Sequence, residues 1–170
     1  MMAEEPWLTG DELAAWVRLV AVVELLPGVL DGQLRRDEHL MHFEYFVLAM
    51  LSEAPDHTLQ MRDLAARTYA TLPRLSHVVR RLEERGLVAR TPCPGDGRAI
   101  NASLTQAGWA AVRAAATGHA ATVREHVFDV LSHEQVGQLK DITTAILSRL
   151  DPDERLAVAY TRYDDEPSRP

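Results

Sequence analysis

Cysteine is all but absent, Cys93 being the only one among 170 residues. One thiol cannot form an internal disulfide, and no Cys/His spacing matches a structural zinc site, which fits a reducing compartment. Lysine is as scarce: Lys140 stands alone against 17 arginines in an alanine-rich background. That bias points to GC-rich coding and says nothing about function. No window reads as a signal peptide or a membrane span. The start Met1-Met2-Ala3-Glu4-Glu5 is acidic, and the most apolar early run is interrupted by Arg18, Glu24 and Pro27. The expected address is the cytoplasm, without a membrane partner. There is no glycine-rich phosphate loop, no nucleophile motif with a matched base and no distinctive carboxylate pair. Neither enzymatic activity nor a cofactor is therefore expected.

What is present is a chain of 170 residues, 46% hydrophobic, able to bury its own core and expected as a single domain over 1–170. Its net charge of -7 argues against a nucleic-acid partner until the charges are located. Residues 58 to 100 hold eight arginines against four acidic residues, a local +4, leaving -11 for the rest. One basic segment in an acidic chain suits a single surface that meets a polyanion.

Periodicity predicts mostly helix. Thr9-Gly10-Asp11 caps a first helix with Leu13, Trp16, Val17, Val20 and Val23 on one stripe, which Pro27-Gly28 should kink or interrupt before Leu30 and Leu34 resume it. A central helix over Phe43 to Leu51 ends at Ala54-Pro55-Asp56, and Thr58-Leu59-Gln60 is long enough for one rung of a small sheet. "MRDLAART" then forms a short helix with Met61, Leu64 and Ala65 inward. A new helix opens at Thr71, and two short helices so spaced fit a helix-turn-helix. From Leu72 to Arg85, Leu75, Val78, Val79 and Leu82 make one core face. Pro73, Ser76, His77, Arg80 and Glu84 point away from it, with Arg74, Arg81 and Arg85 along one flank. Gly86 caps that helix, and an extended run from Leu87 to Thr91 returns over Ala99 to Leu104, turning through Gly95-Asp96-Gly97. Trp109, Val112, Ala116, Val123, Val127 and Val130 stripe a long helix opened by Thr105, and Val136, Leu139, Ile142, Ile146 and Leu150 stripe another capped by Ser132. These stripes exceed what the small central unit can cover, so the terminal helices are expected to pack in a homodimer. Residues 151–170 read as a frayed, flexible tail.

The order of these elements, with "RLSHVVRRLEERGLVARTPCPGDGRAINASLTQAG", resembles the MarR family of winged helix-turn-helix transcriptional regulators. The likeness runs from about Leu13 to Leu150 and is strongest in "RRLEERGLV", "DGR" and "LTQAG". It implies a mainly α fold with a small antiparallel β-wing: a winged helix-turn-helix lobe over 40–104 and a helical dimerisation region over 10–38 and 105–150. It also implies a homodimer on double-stranded DNA at a pseudo-palindromic operator, acting as a repressor that a small aromatic ligand releases. Transferred by position, the helix over 72–85 enters the major groove, with Thr71, Arg74, Ser76 and His77 toward base edges. Gln60 and Arg62 touch phosphate at the start of the preceding helix, Arg98 enters the minor groove from the wing, and Asp96 steadies it. Arg80 and Arg90 complete the expected DNA-binding set, although Arg80 could equally pair with Glu84 one turn later. Three positions depart from the family pattern. Arg80 stands where many relatives are acidic, Leu72-Pro73 replaces a more polar pair, and Gly95 occupies the place of a further wing arginine. Borrowed operator sequences are therefore not transferable.

Other readings compete at particular residues. Cys93 precedes the wing, whereas sensing thiols in such relatives lie near the N-terminus, so it is read as a small strand residue. Glu38, His39, His42 and Glu44, with His119, Glu125 and His126, allow a zinc-responsive regulator of the same fold; but His119 and His126 are two turns apart, and no metal site is assigned. The plainer reading is a polar junction between lobe and dimer base, where an organic effector would sit beside Trp16, His42, Phe43 or Phe46. A winged-helix protein-interaction module without DNA binding is the remaining alternative, and the +4 segment opposes it.

Overall fold

The computed structural model describes residues 7–164, apart from the side chains of Asp96 and Gly97. Helix α1, Gly10–Glu38, starts at a reciprocal cap: the Glu12 amide donates to Thr9 Oγ1 at 3.3 Å, and the Thr9 amide donates to Glu12 Oε2 at 2.8 Å. It runs through Pro27-Gly28 as one continuous α-helix, so of the expected kink or interruption the interruption does not occur. Proline removes one intrahelical hydrogen bond. The packing of Leu30 and Leu34 beneath α2, His42–Ser52, and α5, Gln106–Val123, offsets that loss. Arg18, Glu24 and Pro27 therefore do not divide the apolar run. By length and composition alone α1 could cross a membrane, its most apolar 18-residue window averaging a hydropathy of 1.9. Its C-terminal part is instead committed to the protein interior, where Leu30, Gln33 and Leu34 are buried.

The remaining elements follow in chain order. A 3-10 turn, Pro55–His57, leads to β1, Thr58–Gln60, then α3, Met61–Arg67, and α4, Leu72–Glu84. Strands β2, Val88–Cys93, and β3, Asp96–Leu104, form the hairpin ahead of α5, and α6 covers His133–Leu150. The sheet order is β1-β3-β2, all antiparallel, with Leu59 opposite Ala102 and Arg90 opposite Ala102 on its other side. The core lies where α2, α3 and α4 meet this sheet: Leu48, Leu51, Leu64, Leu75, Val79, Leu82 and Ala102 are fully buried. The mainly α fold with a small β-wing is as expected.

Two expectations change. The valine stripe after Thr105 is not one regular helix, because α5 gives way at Arg124 to a π-helical turn, Arg124–Phe128. Residues 151–164 are not frayed. Asp151 is buried and accepts the amides of Arg155 and Leu156, at 3.0 and 2.7 Å, and the Tyr160 hydroxyl at 3.1 Å. This turn starts a short helix, α7, Ala157–Tyr160, that packs on α3. Beyond it, Arg162 pairs with Glu53 at 3.0 Å, the Tyr163 hydroxyl donates to Glu53 at 2.8 Å, and Asp164 meets Lys140 at 3.2 Å. Spacing offered no sign of the Glu53 contacts, because Tyr163 lies 110 residues beyond Glu53 in the sequence. Residues 165–170 lie outside the described part.

Candidate nucleic-acid interface

The helix-turn-helix is built by short-range rules. Thr68 Oγ1 donates to the Leu64 carbonyl at 2.7 Å and closes α3, Tyr69 takes a left-handed φ of 53°, and Thr71 Oγ1 caps α4 by accepting the Arg74 amide at 3.4 Å. Helix α4 ends as expected at Gly86, φ 71°, where the Leu87 amide donates to Leu82 O and that of Gly86 to Glu83 O, both at 2.9 Å. The hairpin base is fixed to α5 by Thr105, whose hydroxyl donates to Gly86 O at 2.7 Å and whose amide donates to Leu87 O at 3.1 Å. Gly108 is required at this junction. A Cβ there would lie 2.1 Å from Leu87 O, so the glycine of "LTQAG" lets α5 press against the wing base.

The hairpin turns one residue earlier than its glycines suggest. The tip is Pro94-Gly95, with Gly95 at φ 87°, because proline at the first and glycine at the second turn position suit a type II turn. Asp96 already belongs to β3, and its side chain, expected to steady Arg98, lies outside the described part. The register jumps from Pro92 opposite Ile100 to Cys93 opposite Asp96, so Arg98 sits on a bulge, a feature that re-aims a side chain out of the ladder.

Between α3, α4 and this hairpin lies a groove of about 410 Å³. Five of the expected contact residues, Gln60, Arg62, Ser76, Arg90 and Arg98, line it together with Leu72 and Ile100. The others are distributed around it. His77 and Arg80 are exposed on the outer face of α4 and hydrogen-bonded to each other at 3.1 Å, with Arg80 a further 3.9 Å from Glu84. Gln60 also donates to Cys93 Sγ at 3.6 Å. The flank of α4 turns inward. The Arg74 guanidinium lies 4.3 Å from the Phe43 ring centre, and Arg85 donates to Glu44 Oε2 at 3.2 Å and to His39 O at 3.2 Å. Arg81 faces Glu44 Oε1 at 3.3 Å without hydrogen-bond alignment. Glu44 is buried and also accepts the Met41 amide at 3.0 Å, so three arginines of the basic segment clamp α4 to the start of α2.

Two residues escaped the sequence reading for a physical reason. The arginines that pair with Glu44 and Glu83 lie outside the helices that carry them or beyond a chain reversal. Glu83 accepts two hydrogen bonds from Arg90 of β2 and forms an ion pair with its guanidinium, and these hold its carboxyl below its ordinary pKa. No periodicity rule finds a pair separated by a helix cap and a turn.

The residues expected around an effector point to different neighbours. Phe43 carries Arg74, Phe46 meets Tyr69 at 6.1 Å between ring centres, and Trp16 stands exposed on the open face of α1. His42 stacks on His119 at 5.8 Å, and Tyr45 lies 4.6 Å from the same ring. Burial lowers both imidazole pKa values; Asp31 partly opposes this at His42, while the charge of His42 reinforces it at His119. Two buried polar atoms at this junction, His119 Nδ1 and Gln33 Oε1, have no hydrogen-bond partner among the described residues. The zinc alternative does not fit: Glu44 is taken by arginines, and among the described residues no three His, Cys, Asp or Glu side chains gather around a common point.

Comparison with known proteins agrees with this geometry. The MarR family model matches residues 41–99, the helix-turn-helix through the wing. The structure of Sco3205, a MarR family transcriptional regulator from Streptomyces coelicolor in complex with DNA, is 40% identical, covers 85% of this chain and 94% of its own, and superposes with a TM-score of 0.82. AbsC, a MarR family transcriptional regulator from the same organism, is 35% identical over 86% of this chain and 98% of its own, also at 0.82. CouR from Rhodococcus jostii RHA1, bound to p-coumaroyl-CoA, is 26% identical over 75% and 87% with a TM-score of 0.66. No match was found among curated protein sequences. With a winged helix-turn-helix closed by Gly108 and relatives at 40% and 35% identity along nearly their whole length, the chain belongs to the MarR family of transcriptional regulators.

Proposed function

We propose that the protein is a cytoplasmic, homodimeric repressor that binds a pseudo-palindromic operator and is released by a small aromatic ligand. The observation that carries the DNA part is the groove in which Arg62, Arg90 and Arg98 converge beside the exposed face of α4. In this reading Thr71, Ser76, His77 and Arg80 present α4 to the major groove, Gln60 and Arg62 hold phosphate, and Arg98 enters the minor groove, while Arg74 and Arg90, engaged by Phe43 and Glu83, orient α4 and the wing.

Exposed apolar surface supports the dimer. A compact 19.0 kDa monomer exposes about 8,400 Å² by size scaling, and this chain exposes 12305 Å². Trp16, Val22, Val23 and Leu25 of α1 and Ile142 and Leu150 of α6 are more than half exposed. An apolar groove of about 600 Å³ between α1 and the α5–α6 region, lined by Val22, Leu26, Val127 and Leu139, would receive a helix of the second copy. Two lobes so joined would set their α4 helices about 10 base pairs apart. For the effector, the half-buried histidine pair supports a site at the α1–α2–α5 junction beside His42 and Tyr45, whereas Trp16, Phe43 and Phe46 face other neighbours within this chain.

Sequencing the genomic fragments retained by the purified protein at moderate salt tests the reading. Enrichment of a two-fold symmetric motif is expected. Retention of all fragments equally, with no motif, would refute sequence-specific regulation.

A further inference from the structure

Leu72 is an unusual residue for a cationic groove. It is the first residue of α4, between the Thr71 cap and Pro73, and it continues the stripe of Leu75 and Val79 one turn beyond the covered core. It is 48% exposed, whereas Leu75 and Val79 are fully buried. It shares the groove with Arg62 and Arg98 and with the apolar Met61, Ala99 and Ile100, and Ser76 follows it one turn along α4. An exposed apolar side chain beside these arginines gains nothing from phosphate. Among the groups that base pairs present in the major groove, the thymine 5-methyl is the apolar one.

We propose that Leu72 reads thymine through its 5-methyl group, at one position in each half-site. This rests on the DNA-binding reading above and deepens it. The arginines bring the phosphates to the groove rim, and the helix start then carries Leu72 to the base edges. There it favours thymine over cytosine by desolvating the methyl, with no hydrogen bond involved. Pro73, which has no amide hydrogen to leave unpaired at the first turn, presents the same apolar character beside it.

The test uses the duplex that the protein enriches from a randomised pool, synthesised with each thymine in turn replaced by deoxyuridine. For the unmodified protein, removing the methyl at one thymine per half-site should weaken binding about fourfold per site. For Leu72→Ala the same replacement should cost nothing. Leu72→Met, which keeps an apolar chain on the same stem, should retain the discrimination and guards against misfolding of the alanine variant. Equal losses from deoxyuridine in all three proteins, or tolerance of deoxyuridine at every thymine, would overturn the proposal while leaving DNA recognition intact. Enrichment of no sequence would overturn the DNA-binding reading and this one with it.

Discussion

Arg90 of β2 and Glu83 of α4 form a three-point contact: Arg90 Nη2 lies 2.6 Å and Nε 2.8 Å from Glu83 Oε2, and the Arg90 amide donates to Oε1 at 3.1 Å. The pair ties the end of α4 to the first part of the wing. Each side chain is about one-third exposed, so the contact orients more than it stabilises.

Glu83→Gln should therefore lower stability by no more than about 1 kcal/mol. It should free Arg90 toward phosphate, steepening the salt dependence of DNA binding and narrowing the gap between specific and random duplexes. Titrations on both duplexes at several salt concentrations check this. Because Arg90 lowers the Glu83 pKa, the contact is complete above about pH 4.5 and is lost as pH falls through the lowered value.

Glu44→Gln leaves Arg81 and Arg85 facing a neutral amide. The carboxylate is buried but both arginines are partly solvated, so a loss of about 1–3 kcal/mol is expected in denaturant unfolding. DNA affinity should fall with it, since these contacts hold α4 against α2.

Burial lowers the pKa of both His42 and His119, so the unfolded chain binds protons more readily than the folded one. Thermal stability should be highest above about pH 6.5 and should fall as pH drops below it. His119→Phe keeps an aromatic ring between His42 and Tyr45 and should flatten that fall, as melting curves from pH 5 to 8 would show.

Asp151→Ala removes the acceptor of three hydrogen bonds under α7. A loss of about 1–3 kcal/mol is expected, with faster amide exchange in residues 155–163 as the local readout. Unchanged exchange there would mean that the segment is held by Glu53 and Lys140 without Asp151.

Arg98→Ala should reduce the slope of log affinity against log salt by about one unit while leaving the preferred motif unchanged. His77→Ala should instead relax the preference at one base pair, at a cost of about 1–3 kcal/mol. Selections with each variant separate the two.

The helices, their caps and the wing were legible in the sequence because each rests on contacts within a few residues: Thr9, Thr71, Thr105 and Ser132 cap neighbouring amides, and Gly86 takes the left-handed turn that ends α4. The basic segment was legible too, as a count of charges. What each arginine does was not. Arg62 and Arg98 reach the groove, while Arg74, Arg81 and Arg85 turn to Phe43 and Glu44, because α2 crosses behind α4 and supplies a buried carboxylate that demands partners. The same holds for the chain after Leu150, which composition alone makes a loose tail and which Glu53 and Lys140 bind in place. Local hydrogen bonding and periodicity determine elements from sequence; only the tertiary structure decides which charges are spent on packing and which line the groove, because burial cost depends on what lies across the interface.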